Sequence, residues 1–348
     1  MGKREYTGLP DAFGRYGAEL EAELVSAIGR DPLHFYTIMR YHMGWVDEQG
    51  SPREASGGKH LRPTLCLLVC EMVGGDWRQA LPGAAAVEIV HNFTLVHDDV
   101  QDKSSHRRHR PTVWNLWGVP QAINVGDGMW AAAQLEVLRL QEKGVAPDKV
   151  IIASRLLADA CLKLCEGQYL DVGFESRPDV DIDDYLRMID GKTAQLFSCS
   201  LALGAIVGTE GGRLISQLGV FGRELGLAFQ IQDDLLGIWG DEEATGKSAH
   251  TDVKEKKMTL PIICALKEAD GAKKERLTGL YQSEGTELTA PEVAEVVEIL
   301  DVVGARDHTE EFKRQYHTQA LEELDRMELS SQSSAELREM AAYVLSQF

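Results

Sequence analysis

The chain of 348 residues lacks any apolar run long enough to cross a bilayer. Its longest apolar windows, such as residues 201–207, fall far short of the roughly 20 residues a helical span needs. Met1-Gly2-Lys3-Arg4-Glu5 leads into no signal-peptide core, so the expected location is cytoplasmic. Cysteine is scarce, with six residues and no CxxC pair. Cys66 with Cys70 and Cys161 with Cys165 stand at helical spacing, Cys199 and Cys264 are isolated, and all have apolar neighbours. Small buried thiols are therefore expected, and metal ligation or disulfides are not. No Pro/Gly/Ser-rich linker or low-complexity stretch divides the chain, which predicts one domain over 1–348. Positive charge is also short: 36 Lys and Arg face 55 Asp and Glu, a formal charge of −19. That balance disfavours nucleic acid and anionic membranes as main partners, so an anionic substrate must meet locally concentrated Lys and Arg, or metal.

What is present is helical almost throughout. With 44% hydrophobic and 26% charged residues the composition is that of a soluble globular protein with a large core. Ala, Leu, Glu, Gln, Arg and Met are abundant, and alternating β patterns are rare. Asp31-Pro32 reads as an N-cap followed by a first-turn proline, opening a helix to about Trp45. A loop covers 47–58. Further helices are predicted over about 61–72, 77–102, 120–143, 147–174, 182–208, 211–237 and 260–270, with shorter pieces to Phe348.

The most informative segment is His97-Asp98-Asp99-Val100-Gln101-Asp102, followed at once by His106-Arg107-Arg108-His109-Arg110. On a helix Asp98 and Asp102 share a face, while Asp99 lies about 100° round. Such carboxylates repel one another unless a hard cation bridges them, and Mg²⁺ takes a few carboxylate oxygens, some waters and substrate phosphate. The bland alternative is a solvated acidic helix face. A second acidic pair, Asp233-Asp234, ends the apolar stretch Leu225, Leu227, Ala228, Phe229 and Ile231, where unpaired charges seldom sit. Should the two helices face each other, five carboxylates meet at one cavity mouth, with Asp241 as a possible extension.

Other patterns invite over-reading. Residues 179–184 begin like a calcium loop but lack its sixth-position glycine, and helix capping before Tyr185 is the better account. Residues 240–248 end in Gly246-Lys247-Ser248 like a phosphate-binding loop, yet Asp241 takes the first glycine's place and no buried strand precedes it. Taken singly, each Lys or Arg is a solvated surface charge by default, and His91 a core histidine.

Taken together, the two aspartate segments, Gly57-Gly58-Lys59-His60-Leu61-Arg62-Pro63, Gly191-Lys192-Thr193, Phe229 to Asp234, and Asp252 with Lys257 resemble the trans-isoprenyl diphosphate synthases, in the same order over roughly residues 30–345. The resemblance is weak in 1–29, an N-terminal helical extension. It implies an all-α single-domain bundle of the isoprenoid synthase type I kind around a central apolar cavity, with three Mg²⁺ held between the aspartate motifs. By that resemblance Asp98 and Asp102, with Asp99 supporting, and Asp233, with Asp234, would be the metal set. Arg107, Lys192 and Lys257 would hold the allylic diphosphate, with Thr193 and Gln230 near its reacting end and Lys247 beside them. Lys59, Arg62, His91 and Arg108 match the family's site for isopentenyl diphosphate. A homodimer is also implied. Three departures stand out: His60 where many members have Arg, His109 in place of a usual glycine, and Gly237 in place of the second motif's last Asp.

The chemistry fits this division. Ionising a primary allylic C–O bond develops charge on the leaving oxygens, which metal and ammonium groups stabilise. The second substrate keeps its diphosphate, so a separate basic pocket suits it, with arginine's fork on phosphate oxygens. The family resemblance makes the released diphosphate the base, and no side chain is nominated. Phe93 and Thr94 lie below Asp98; Thr94 is about 6 Å down the same face and Phe93 about 100° round. Geometry does not choose between them, but Phe93-Thr94-Leu95-Val96-His97-Asp98-Asp99 resembles geranylgeranyl (C20) synthases. C20 is the expected product, with farnesyl (C15) or geranylfarnesyl (C25) as alternatives and Trp130 as a second residue able to shorten it. A type I terpene cyclase has no use for Lys59, Arg62 and Arg108, and a non-catalytic regulatory subunit usually loses aspartates or basic ligands that are intact here.

Overall fold

The computed structural model describes residues 10–29, 31–53, 58, 60–174, 177, 179–240, 250–283 and 287–346. It is all-α apart from one two-stranded hairpin and one isolated bridge among those residues. None of its described helices is long and apolar enough to cross a membrane. The chain forms two compact units, Met1–Cys161 with Leu196–Gly219, and Leu162–Gln195 with Val220–Phe348.

In the first unit helix α1 (Asp11–Ile28) and α3 (Leu61–Met72) pack on α4 (Leu81–Gln101), which also lies against α6 (Val119–Leu138). Helix α2 (His34–His42) precedes α3, and the short α5 (Val113–Trp117) leads into α6. Helix α4 starts with a first-turn proline and the strong helix formers Ala84, Ala85 and Ala86. Residues on every side of it are buried, as befits an interior helix, and burying each Val, Ile or Phe contributes about 1.5–3 kcal/mol. This rigid element carries the first aspartates: Asp98 and Asp99 in its last turn and Asp102 at its C-cap.

In the second unit the core gathers Phe174, Tyr185, Leu227, Ile231, Ile238, Leu260, Ile262 and Leu300. Helix α7 (Pro147–Phe174) runs into this unit, as does α10 (Gly212–Trp239). Helix α8 (Ile182–Ile189) runs into a π-helical turn over Asp190–Ala194, and α9 (Gln195–Gly208), which follows the turn, belongs from Leu196 on to the first unit. The rest comprises α11 (Thr251–Lys254), α12 (Leu260–Glu268), α13 (Gly271–Tyr281), α14 (Ala290–Val302), α15 (Ala305–Asp325) and α16 (Ser331–Ser346). Helix α12 is central, packing on α8, α13, α14 and α15.

Several sequence expectations need correction. The helix expected from Asp31 begins at His34, because the Asp31 carboxylate accepts from the Leu33 N–H and closes a local turn instead of capping. The helix expected over 182–208 is broken by the π turn. Cys165 is exposed, whereas the other five cysteines are buried and all six are free thiols. Asp181 does cap α8, accepting from the Asp184 N–H at 2.8 Å. Lys59, Asp241 and Lys247 lie outside the described residues.

Candidate functional site

The first unit presents Asp98 and Asp102, both half-buried, with Asp99 beneath them at 1% exposure. Arg107 donates from Nε to Asp99 Oδ1 at 2.9 Å, and Asp99 Oδ2 has no partner among the described residues. Burial lifts the Asp99 carboxyl to about 6 in spite of that guanidinium. Arg107 and Arg110 stand on the hairpin of β1 (His106–Arg107) and β2 (Arg110–Pro111). Both turn residues between them, Arg108 and His109, take positive φ, +48° and +59°, as a two-residue hairpin of the primed type requires. The hairpin is fixed from outside. Arg110 donates to the carbonyls of Tyr41 and Val46 at 2.9 Å each and stacks 3.8 Å above the Tyr41 ring, and Thr112 and Trp114 both donate to the Ser104 carbonyl.

A second set in this unit surrounds His91. Arg62 and Arg108 are close enough that, after burial itself, their charges hold the His91 imidazole well below its ordinary pKa, so it is neutral. Arg62 lies 4.5 Å over the Phe197 ring. The Arg108 guanidinium reaches Gly58, and a Cβ there would meet its nitrogen at 2.7 Å. Three of the four residues assigned to isopentenyl diphosphate, Arg62, His91 and Arg108, are thus neighbours in one unit; the fourth, Lys59, is not described. Glu88, buried beside them, pairs with His60 at 3.1 Å. Phe93 is buried and meets the His97 ring edge-on, with centroids 5.8 Å apart. Thr94 is buried too, its hydroxyl donating to the His91 carbonyl. Trp130 is 42% exposed on α6.

In the second unit Lys192 and Thr193 ride on the π turn. The extra residue of such a turn re-aims side chains that an uninterrupted α-helix would carry elsewhere. The turn crosses α7 at two glycines: a Cβ on Gly167 would sit 2.2 Å from the Lys192 backbone nitrogen, and one on Gly191 2.6 Å from the Lys163 carbonyl oxygen. Lys192 pairs with Asp171. Thr193 donates to Gln230 Oε1 at 2.7 Å, and Gln230 donates from Nε2 to Asp234 Oδ1 at 3.1 Å. Asp234 Oδ2 accepts from the Tyr185 hydroxyl at 2.6 Å and from the Leu260 N–H at 3.0 Å. Both Asp234 oxygens are therefore engaged, and burial raises this carboxyl to about 7. A cation held through Asp234 would have to displace those donors, whereas Asp233, one residue earlier, is half-buried. Gly237 matters for what it omits. A Cβ there would fall 1.9 Å from Asp252 Oδ2, so the Asp252 carboxylate fills the place one turn beyond Asp233. Lys257 pairs with Glu255 at 3.2 Å.

The donors in both units are carboxylate oxygens, the hard ligands Mg²⁺ takes. Among the described residues no three His, Cys, Asp or Glu form a ready-made cage. An ion that keeps waters and borrows diphosphate oxygens needs none, and the unpartnered Asp99 Oδ2 is a free acceptor behind the first pair. Sequence reasoning missed Asp171, Tyr185 and Glu88. Only Asp171, four residues after Gly167 on one helix face, had a local signal.

Residues 46–300 match the family described as polyprenyl synthetase. The chain is 45% identical over 275 residues to a geranylgeranyl diphosphate synthase of Mycobacterium tuberculosis, covering 79% of this chain and 76% of the relative. It is 38% identical over 316 residues to a (2E,6E)-farnesyl diphosphate synthase of the same organism, covering 90% and 86%. Among solved structures, polyprenyl synthetase from Streptomyces coelicolor A3(2) superposes with a TM-score of 0.88 at 36% identity, covering 96% of this chain and 98% of that one. Geranylgeranyl pyrophosphate synthetase from Pyrococcus horikoshii Ot3 gives 0.86 at 32%, with the same coverage. On the motifs, the all-α fold and these matches, the chain belongs to the polyprenyl synthetase family of trans-isoprenyl diphosphate synthases.

Proposed function

We propose that this prenyltransferase condenses isopentenyl diphosphate head-to-tail with allylic diphosphates to give geranylgeranyl diphosphate. Asp98, Asp102 and Asp233 would hold Mg²⁺, three ions by resemblance, with Asp99 and Asp234 behind them. Bound there, the metal would neutralise charge on the leaving diphosphate. Arg107, Lys192, Lys257 and Lys247 bind the allylic diphosphate, while Thr193 and Gln230 orient its reacting end. Arg62, Arg108, His91 and Lys59 hold the isopentenyl diphosphate. The allylic C–O bond breaks, its carbon joins the isopentenyl double bond, and a proton leaves to the released diphosphate. Phe93 and Thr94, with Trp130 as a further candidate, limit product length. The six free thiols fit a cytoplasmic setting, and a homodimer is part of the reading.

The observation that carries this reading is the second cationic set, Arg62 and Arg108 about a neutral His91. A cyclase with one substrate has no task for it, and a non-catalytic subunit has no reason to retain it. The test is a product assay with purified protein, Mg²⁺, isopentenyl diphosphate and each of the C5, C10 and C15 allylic diphosphates. A C20 product that vanishes in excess chelator is expected. Undiminished turnover in chelator, or a cyclic hydrocarbon from geranylgeranyl diphosphate alone, overturns the reading.

A further inference from the structure

His60 occupies an unusual place: a left-handed residue, φ +47° and ψ +41°, directly before the first turn of α3. Its ring bridges two other helices. Nδ1 lies 3.1 Å from Glu88 Oε1 on α4, and Nε2 lies 3.5 Å from Glu21 Oε2 on α1. Glu88 is 3% exposed and also accepts from Asn92 Nδ2 at 3.0 Å. Its charge is felt by Arg62, His91 and Arg108, so a carboxylate sits amid the groups assigned above to isopentenyl diphosphate.

That placement poses a conflict. A buried carboxylate beside two guanidiniums claims them for itself and repels an incoming diphosphate. We propose that His60 is a positioning residue that neutralises Glu88 by a direct ion pair, so that this buried carboxylate does not repel the second substrate's diphosphate beside Arg62 and Arg108. Burial alone would discharge this imidazole, but its two glutamates hold its pKa at about 10, so it is cationic at neutral pH. The other side of the clamp, the half-buried Glu21, fixes the ring and adds the second contact. This inference rests on the functional reading above.

The test separates charge compensation from mere packing. Binding of isopentenyl diphosphate without metal is measured by calorimetry, beside steady-state kinetics. His60→Gln should weaken that binding and raise the KM for isopentenyl diphosphate by about tenfold, with kcat and the allylic KM within about threefold of the parent. His60→Arg, which keeps the cation, should stay within about twofold, and the double variant His60→Gln/Glu88→Gln, which removes the uncompensated charge, should recover to within about threefold. Unchanged affinity in His60→Gln, or a double variant no better than the single, overturns the proposal. If His60→Gln does not fold, the double variant His60→Gln/Glu88→Gln carries the test alone: affinity within about threefold of the parent supports the proposal, and affinity about tenfold weaker refutes it. Failure of the parent protein to form any prenyl product would instead sink the functional reading, whereas parent and variants that bind alike sink this inference alone.

Discussion

Single side chains in this protein carry charges far from where solution would leave them, and two consequences are measurable. The Glu88 carboxyl, which burial would raise, is held by His60 at about 2 instead of its usual 4.5, so its contribution to stability is present above pH 4.5 and is lost as pH falls toward 2. His60, held at about 10 against 6.5, contributes fully below pH 6.5 and loses that contribution as pH rises through 10. Both are whole between pH 4.5 and 6.5. The unfolding free energy of the parent minus that of His60→Gln/Glu88→Gln, from urea titrations, should therefore peak in that window, at a difference of order 2 kcal/mol, and shrink on either side. Asp234 gives the second consequence. Its two oxygens take three donors, from Tyr185, Leu260 and Gln230. Asp234→Asn replaces one acceptor by a donor facing the Gln230 or the Tyr185 side, at a cost of about 1–3 kcal/mol in urea unfolding, and it loosens the Gln230 that receives the Thr193 hydroxyl. Neither pairing could be read from the chain. Tyr185 lies 49 residues from Asp234, and nothing local in either segment announces the other.

Elements were legible wherever period and punctuation agree. The sequence boundaries 61–72 and 147–174 coincide with α3 and α7, each opened by a first-turn proline or closed by a change of composition. Apolar spacing is blind to the π turn at 190–194, because a single extra residue shifts the register without interrupting the apolar run. That turn depends on its crossing with α7. Gly167→Ala sets a methyl 2.2 Å from the Lys192 nitrogen, a backbone atom that cannot swing aside. The variant should lose about 2 kcal/mol or more in urea unfolding and raise the KM for the allylic diphosphate, since the displaced segment carries Lys192 and Thr193. The hairpin was invisible for another reason: strands of two residues have no alternation to detect, and its turn uses Arg108 and His109 where asparagine or glycine would signal it. His109 at φ +59° carries a left-handed cost of about 1 kcal/mol that His109→Gly should return, read as a higher melting temperature.

For the molecule entire, the motif order identified the family and the all-α fold, while the two-unit division left no trace in composition, since no linker separates the units. The acidic balance and the short supply of cations were also legible, and three of the scarce cations, Arg62, Arg107 and Arg108, all lie in the first unit. Association is the remaining property that the surface addresses. On α6 Ile123, Trp130 and Leu138 are 44%, 42% and 51% exposed, and at 100° per residue they fall within about 80° of arc, with Leu135 at 68% beside them. A monomer seldom leaves so continuous an apolar stripe in water, and the same stripe on a second copy is self-complementary about a twofold axis. Leu135→Glu/Leu138→Glu would place two desolvated charges in such an interface while touching no residue assigned to substrate or metal. Sedimentation should show the parent at twice its 38.5 kDa chain mass and the double variant at the mass of one chain. A parent that sediments as a single chain at micromolar concentration, or a variant that still pairs, would place the contact elsewhere or remove it.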